Sequence, residues 1–156
     1  MPNIAYKSKV FVSVTLSPQN NGLSSYLKLS KLLSSLTPSL IEEKYAFSTI
    51  KEPIPPIRLE WKALLRENEG LTIVSTHNQA QKHNLKAIYE CALITLKVHS
   101  DLQAVGITAV VSKALANLNI SCNILAGYHH DHIFVPFEHR IEALQMLQHL
   151  SESHVE

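Results

Sequence analysis

Residues 91–150 read CALITLKVHSDLQAVGITAVVSKALANLNISCNILAGYHHDHIFVPFEHRIEALQMLQHL, and this stretch decides the fold. Cys91 to Val98 is an apolar run of strand length, and Val105 to Leu118 is long enough and apolar enough for a helix lying on a sheet. Ile120 to Ala126 and Ile133 to Phe137 read as two more strands, separated by a polar turn. Arg140 to Leu150 closes the stretch as a helix, with Leu144, Leu147 and Leu150 at helical spacing and assigned to the core. The order is βαββα, one strand short of the split βαβ sandwich.

Upstream the pattern is looser. Leu71 to Ser75 is a short strand and residues 77–84 a polar helix. Trp61, Leu64 and Leu65 give residues 57–67 a helical stripe that Gly70 ends. Tyr45 to Ile50 reads as a strand, followed by a stiff loop containing Pro53, Pro55 and Pro56. Leu29, Leu32, Leu33 and Leu36 make residues 23–36 an amphipathic helix that stops before Pro38. Residues 1–22 form a leader in which Val10, Val12, Val14 and Leu16 alternate as in a strand. A faint repeat relates Thr72–Gln81 to Ile133–Glu142, with Val74 matched to Val135.

Composition excludes several classes of function. The chain has 156 residues, 46% hydrophobic and 17% charged, which suits one compact soluble protein or two small units sharing a core. That apolar fraction is too high for a disordered chain, and no run approaches the ~20 apolar residues of a spanning helix. Gly106 and Gly127, the closest two of four glycines, are 21 residues apart, so no phosphate-cradling loop or dinucleotide fingerprint can be written. A net charge of +1 lacks the clustered cations that nucleic acid requires. The densest basic group, Arg58, Lys62 and Arg66, lies on one face if 57–67 is helical, but Glu60, Glu67 and Glu69 surround it, as on a solvated surface. Cys91 and Cys122 sit inside apolar runs and read as core residues of a reduced, cytoplasmic protein. Lys7 and Lys9 before Val10 loosely imitate a signal peptide, but Ser13 and Thr15 break the run and export is not expected.

The stretch Leu96 to Val110 resembles the opening of an ACT domain, a small ligand-binding module of amino-acid metabolism. In that family a strand ends in Asp or Asn and a Gly about five residues on begins the first helix. Asp101 and Gly106 stand at those places, with Val105 where a proline is usual. The continuation Ile120 to Pro136 is similar to a branch of tandem ACT-like bacterial proteins, itself similar to the ACT modules of cellular arginine sensors. Leu36-Thr37-Pro38, Tyr45 to Thr49 and Glu69 to Val74 extend the resemblance into the first half. It implies an α+β fold of tandem ferredoxin-like βαββαβ units, the first abbreviated, whose sheet carries helices on one face. The units are expected at 23–85 and 86–156, after the leader at 1–22.

The candidate ligand contacts are Ser100, Asp101, Leu102, Val105, Gly106 and Ile107, with Asn123 on the adjoining strand. A helix start offers unpaired N–H groups to a carboxylate, while Asp101 attracts an α-ammonium group and Asn123 supplies a hydrogen bond. The alternative is that Asp101 only caps the helix, which stabilises it by about 1 kcal/mol. His129, His130, Asp131 and His132 place several metal-type ligands together, but one turn cannot complete a shell, and a solvated hairpin turn is expected instead of a metal site. No Gly-x-Ser-x-Gly elbow can be formed, so no catalytic residue and no cofactor are assigned.

These readings point to a cytoplasmic regulatory or sensor protein that binds an amino acid or related small metabolite at the ACT-type loop and at a unit interface. The competing reading is a structural or protein-interaction module without a small ligand. Neither nucleic acid nor membrane is an expected partner. Because βαββα leaves a sheet edge, a homodimer is expected to cover it, with the leader strand at residues 8–16 as the alternative.

Overall fold

The longest of the described strands begins at a Thr-Pro dipeptide and runs far past the segment whose composition announces it. The computed structural model describes residues 29–51, 55, 58–97 and 105–153. The expected leader strand, the start of the helix at 23–36 and the loop residues Ser100, Asp101 and Leu102 lie outside them. A helix over residues 29–34 (α1) leads into β1 (Thr37–Ile50), which takes in Pro38 one residue past its start and the Tyr45–Ile50 segment at its end. The remaining elements are β2 (Ala63–Glu67), β3 (Gly70–Thr76), α2 (His77–Lys82), β4 (Ala87–Lys97), α3 (Ile107–Asn117), β5 (Asn123–Ala126), β6 (Asp131–Pro136), a 3-10 turn at Phe137–His139 and α4 (Arg140–Glu152). The described strands join one sheet in the order β2-β3-β1-β4-β6-β5, and each of their pairings is antiparallel.

Two ferredoxin-like units overlap in this sheet. The second is β4, α3, β5, β6 and α4. The first is β1, β2, β3, α2 and β4, abbreviated because the described residues of the connection 51–62 are not helical where a crossover helix would stand. β4 therefore ends one unit and begins the next. β1 lies beside β4 from Thr37 opposite Lys97 to Ser48 opposite Ala87 and fills the place of the second unit's missing strand. The edge expected to need a second subunit or the leader is thus paired within the chain, a correction that follows from β1 being long enough to serve both units.

Residues 57–67 correct a second expectation. Ala63–Glu67 is a strand, not part of a helix, and Asn68 and Glu69 form the tight turn that returns it along β3. Gly70 opens β3 instead of ending a helix. Its φ is +153°, and a Cβ there would lie 2.3 Å from the Ile50 carbonyl oxygen. Leu64 turns toward Leu59, Leu71 and Ile73, while Leu65 and Trp61 stay exposed. A long-range ladder has overridden a local helical spacing, which short apolar stripes permit. Arg58, Lys62 and Arg66 consequently share no helix face.

The two faces of the sheet carry separate cores. Leu33 and Leu36, then Ile107, Val111 and Leu115 of α3, and Ala143 and Leu147 of α4 pack on Ala92, Ile94, Leu96, Ile133 and Val135. His77 at the start of α2 meets Glu90 on this same face at 3.2 Å. The helices thus share one side, as the resemblance implied. Tyr45, Val74, Cys91, Leu93 and Phe134 form a cluster on the far face. Phe134 there takes edge contacts from Tyr45 and Phe47 at centroid distances of 6.1 and 5.2 Å.

A pseudo-twofold axis passes through the Tyr45–Cys91 pair at the sheet centre. Thr76 lies opposite Tyr45 and Pro136 opposite Cys91, so β3 residues correspond to β6 residues 60 positions later. By the same ladder Ala63 corresponds to Asn123. Val74 therefore matches Phe134, not Val135: Val74 and Phe134 belong to the far-face cluster and Val135 to the helix-side core. The faint repeat was one residue out of step, and a one-residue shift reverses the face.

The sheet is also strongly curled. His132 on β6 has its imidazole pKa lowered, by burial first and then by the charges of Lys62 and His130. Lys62 precedes β2, four strand spacings from β6, and in a flat sheet that is about 19 Å. Such a separation through solvent exceeds the screening length of about 8 Å, so sheet twist has brought these opposite corners together.

Candidate functional site

The start of α3 is built around Gly106. It is the residue that caps the helix, with φ +104°, and its carbonyl accepts from the Val110 N–H at 3.0 Å. A Cβ at this position would lie 3.0 Å from Leu29 Cδ2 of α1. Glycine suits the left-handed backbone, and any side chain here would crowd the end of Leu29. The residue at the cap is Gly106, and Asp101 lies outside the described residues.

The expected contacts separate on the structure. Ser100, Asp101 and Leu102 lie outside the described residues. Val105 and Gly106 stand at the helix start, with Val105 80% exposed. Ile107 is adjacent in sequence, but its side chain is 4% exposed and belongs to the core, so it presents no side chain at this end. Asn123 is exposed at the beginning of β5 and pairs with Phe134, which pairs with Leu93. Leu93 is four residues before Lys97, about 13 Å along the strand, and Asn123 shares the far face with Phe134. Asn123 therefore lies well back from the end of β4.

Asp131 stands nearer the end of β4 than Asn123 does. It pairs with Leu96 near the end of β4 and with Ala126 at the end of β5. Leu96 belongs to the helix-side core, so Asp131 directs its carboxyl to that same face. Burial raises its pKa, while His130 acts in the opposite direction. Sequence inspection grouped Asp131 with the neighbouring histidines, and the available signal was its place as the first residue of a strand after a turn.

That turn is a four-residue connection closed by the Gly127 N–H donating to the His130 carbonyl at 3.0 Å. The Tyr128 and His129 rings meet edge to face at 4.8 Å, and Tyr128 is 80% exposed. His132 points to the far face, where its Nδ1 is 3.1 Å from the Thr95 hydroxyl. Among the described residues no three His, Cys, Asp or Glu side chains are grouped to hold a metal ion. Cys91 is buried with its thiol pKa pushed up to about 12 by burial, and Cys122 is partly buried with its pKa raised for the same reason. Neither has the low pKa of a reactive thiol. No helix among the described residues is long and apolar enough to cross a membrane.

Comparison with known proteins adds family to this geometry. The ACT domain family matches twice, over residues 24–92 and 88–149, and the two matches overlap on the opening of the shared strand β4. A Vibrio cholerae protein of unknown function, VC0802, described as a possible transport protein, is 40% identical. It superposes with a TM-score of 0.72, covering 81% of this chain and 98% of its own. The regulatory subunit of aspartate kinase from Thermus flavus is 12% identical, with a TM-score of 0.57, covering 74% of this chain and 97% of its own. Protein Atu0741 from Agrobacterium tumefaciens is 13% identical, with a TM-score of 0.59, covering 74% and 89%. Among curated proteins none matches the chain. ACT domains are regulatory rather than catalytic modules, and two of them merged on one sheet make this chain a member of the tandem ACT-domain family.

Proposed function

We propose that the protein is a cytoplasmic sensor or regulatory protein that binds an amino acid or a related small metabolite at the loop entering α3, where the two units 23–85 and 86–156 adjoin. The observation that carries this reading is the start of α3. A left-handed glycine brings α1 against that end, and the partly buried carboxyl of Asp131 stands on the same face at the level of the strand end from which the loop departs. The helix start favours a carboxylate, and Asp101 and Asp131 favour an ammonium group, the opposed partners of a zwitterion. Kinship with regulatory ACT modules supports a role without catalysis of its own.

A panel of single amino acids at millimolar concentration tests the reading by thermal denaturation. At 100 times Kd the expected stabilisation is about 2.7 kcal/mol, which raises Tm by roughly 5–10 °C. Asp101→Ala should abolish that shift and leave a folded protein. No shift across the panel would favour the second reading, in which the loop is only a fold element and the surface binds another protein. The packing of Gly106 on Leu29 and of Ile107 in the core favours that reading. Homodimerisation belongs to the same proposal and now rests on the outer edges of β2 and β5, since β1 occupies the edge of β4. Light scattering of the intact chain and of one starting at Gly22 should give a dimer in both cases.

A further inference from the structure

The pseudo-twofold axis allows each place in one unit to be compared with its counterpart in the other, and one place differs in kind. In the second unit, Tyr89 lies two residues before Cys91, and Ser121, Cys122 and Glu138 stand close enough to influence its phenol. The phenol is itself partly buried, with its pKa pushed up to about 12 by burial above all. The counterparts of residues 121, 122 and 138 are Trp61, Lys62 and Asn78. The counterpart of Tyr89, two residues before Tyr45, is Glu43, at a β-bulge where the pairing with β4 shifts between Ile41 and Lys44. Bulges re-aim side chains, and here no aromatic ring fills the place. A cleft of about 380 Å³ opens there instead, lined by Glu43, Tyr45, Glu60, Trp61, Lys62 and Gln79 among others.

We infer that this cleft is a second small-molecule site, taking a small organic cation that carries a primary ammonium group. Its volume lies in the range of ligand pockets. Glu43 and Glu60 against Lys62 leave the lining net negative. Glu43 lies near enough to the Tyr45 hydroxyl to raise its pKa, after the larger effect of burial. The Glu43 and Glu60 carboxylates of the lining offer acceptors to the N–H donors of a primary ammonium. Trp61 is 51% exposed and presents an indole to the hydrocarbon body and the charge of such a ligand. This site is separate from the start of α3.

Trp61 is the single tryptophan of the chain, so its fluorescence reports on the cleft directly. Titration of the full-length protein with n-butylammonium chloride should produce a saturable change that sodium chloride at equal ionic strength does not. Glu43→Gln with Glu60→Gln should weaken the apparent affinity about tenfold or more, with circular dichroism confirming that the variant is folded. Asp101→Ala should leave the response unchanged, which separates this site from the loop at α3. A change that never saturates, one that tetramethylammonium reproduces at the same concentrations, or one indifferent to the two substitutions would overturn the proposal.

Discussion

Asp131 shows how much a single residue depends on its place in the ladder. Opposite Leu96 it faces the helix side of the sheet, and burial holds its pKa above the ordinary carboxylate value. The unfolded chain therefore releases this proton at lower pH than the native protein does. The contribution of the group to stability is fully present below its unfolded pKa and is lost as pH rises through the higher native one. Asp131→Asn removes the penalty of ionising a buried carboxyl. Urea denaturation should find the variant more stable than the parent at pH 7, with the difference disappearing below the ordinary carboxylate range. An equal difference at both pH values would show that the effect comes from lost contacts and not from the charge. The neighbouring His132 has the opposite sign. Its pKa is lowered, so it contributes stability that is lost as pH falls from the ordinary imidazole value through the lowered one.

At the scale of elements, the β2–β3 hairpin is where local pattern and tertiary structure disagree. Trp61, Leu64 and Leu65 have helical spacing, yet Ala63–Glu67 pairs with β3 residue for residue. The side chains of Thr72 and Glu67 are hydrogen-bonded beside the turn. Gly70 sets the join, because its backbone is left-handed and no side chain fits against the Ile50 carbonyl. Gly70→Ala should destabilise the protein by more than about 1 kcal/mol, and hydrogen exchange should speed up first in β2 and β3. Exchange that rises uniformly over the whole chain would contradict a local origin. α3 and α4 needed no such help from tertiary context. Ile107, Val111 and Leu115 recur at a helix period and are all buried, as are Ala143 and Leu147.

The described residues build a single curled sheet in which two units share β4 and lean on β1. Its curl has a direct test, since Lys62 and His132 belong to opposite corners. Lys62→Gln removes one of the two charges that depress the His132 pKa, and NMR titration of the His132 ring should show that pKa rise toward the ordinary value. An unmoved pKa would mean that the corners are too far apart to interact. Periodicity and composition determined the βαββα order of the second half and the extents of α3 and α4, because each depends on residues close in sequence, while the tandem α+β arrangement with helices on one face was implied by the family resemblance. Tertiary structure alone decided that Ala63–Glu67 is a strand, that β1 closes the second unit, that Val74 answers to Phe134 and that Asp131 rather than Asn123 stands level with the end of β4. Those outcomes rest on register between strands tens of residues apart, and a shift of one residue, invisible in either strand by itself, exchanges the buried face for the other.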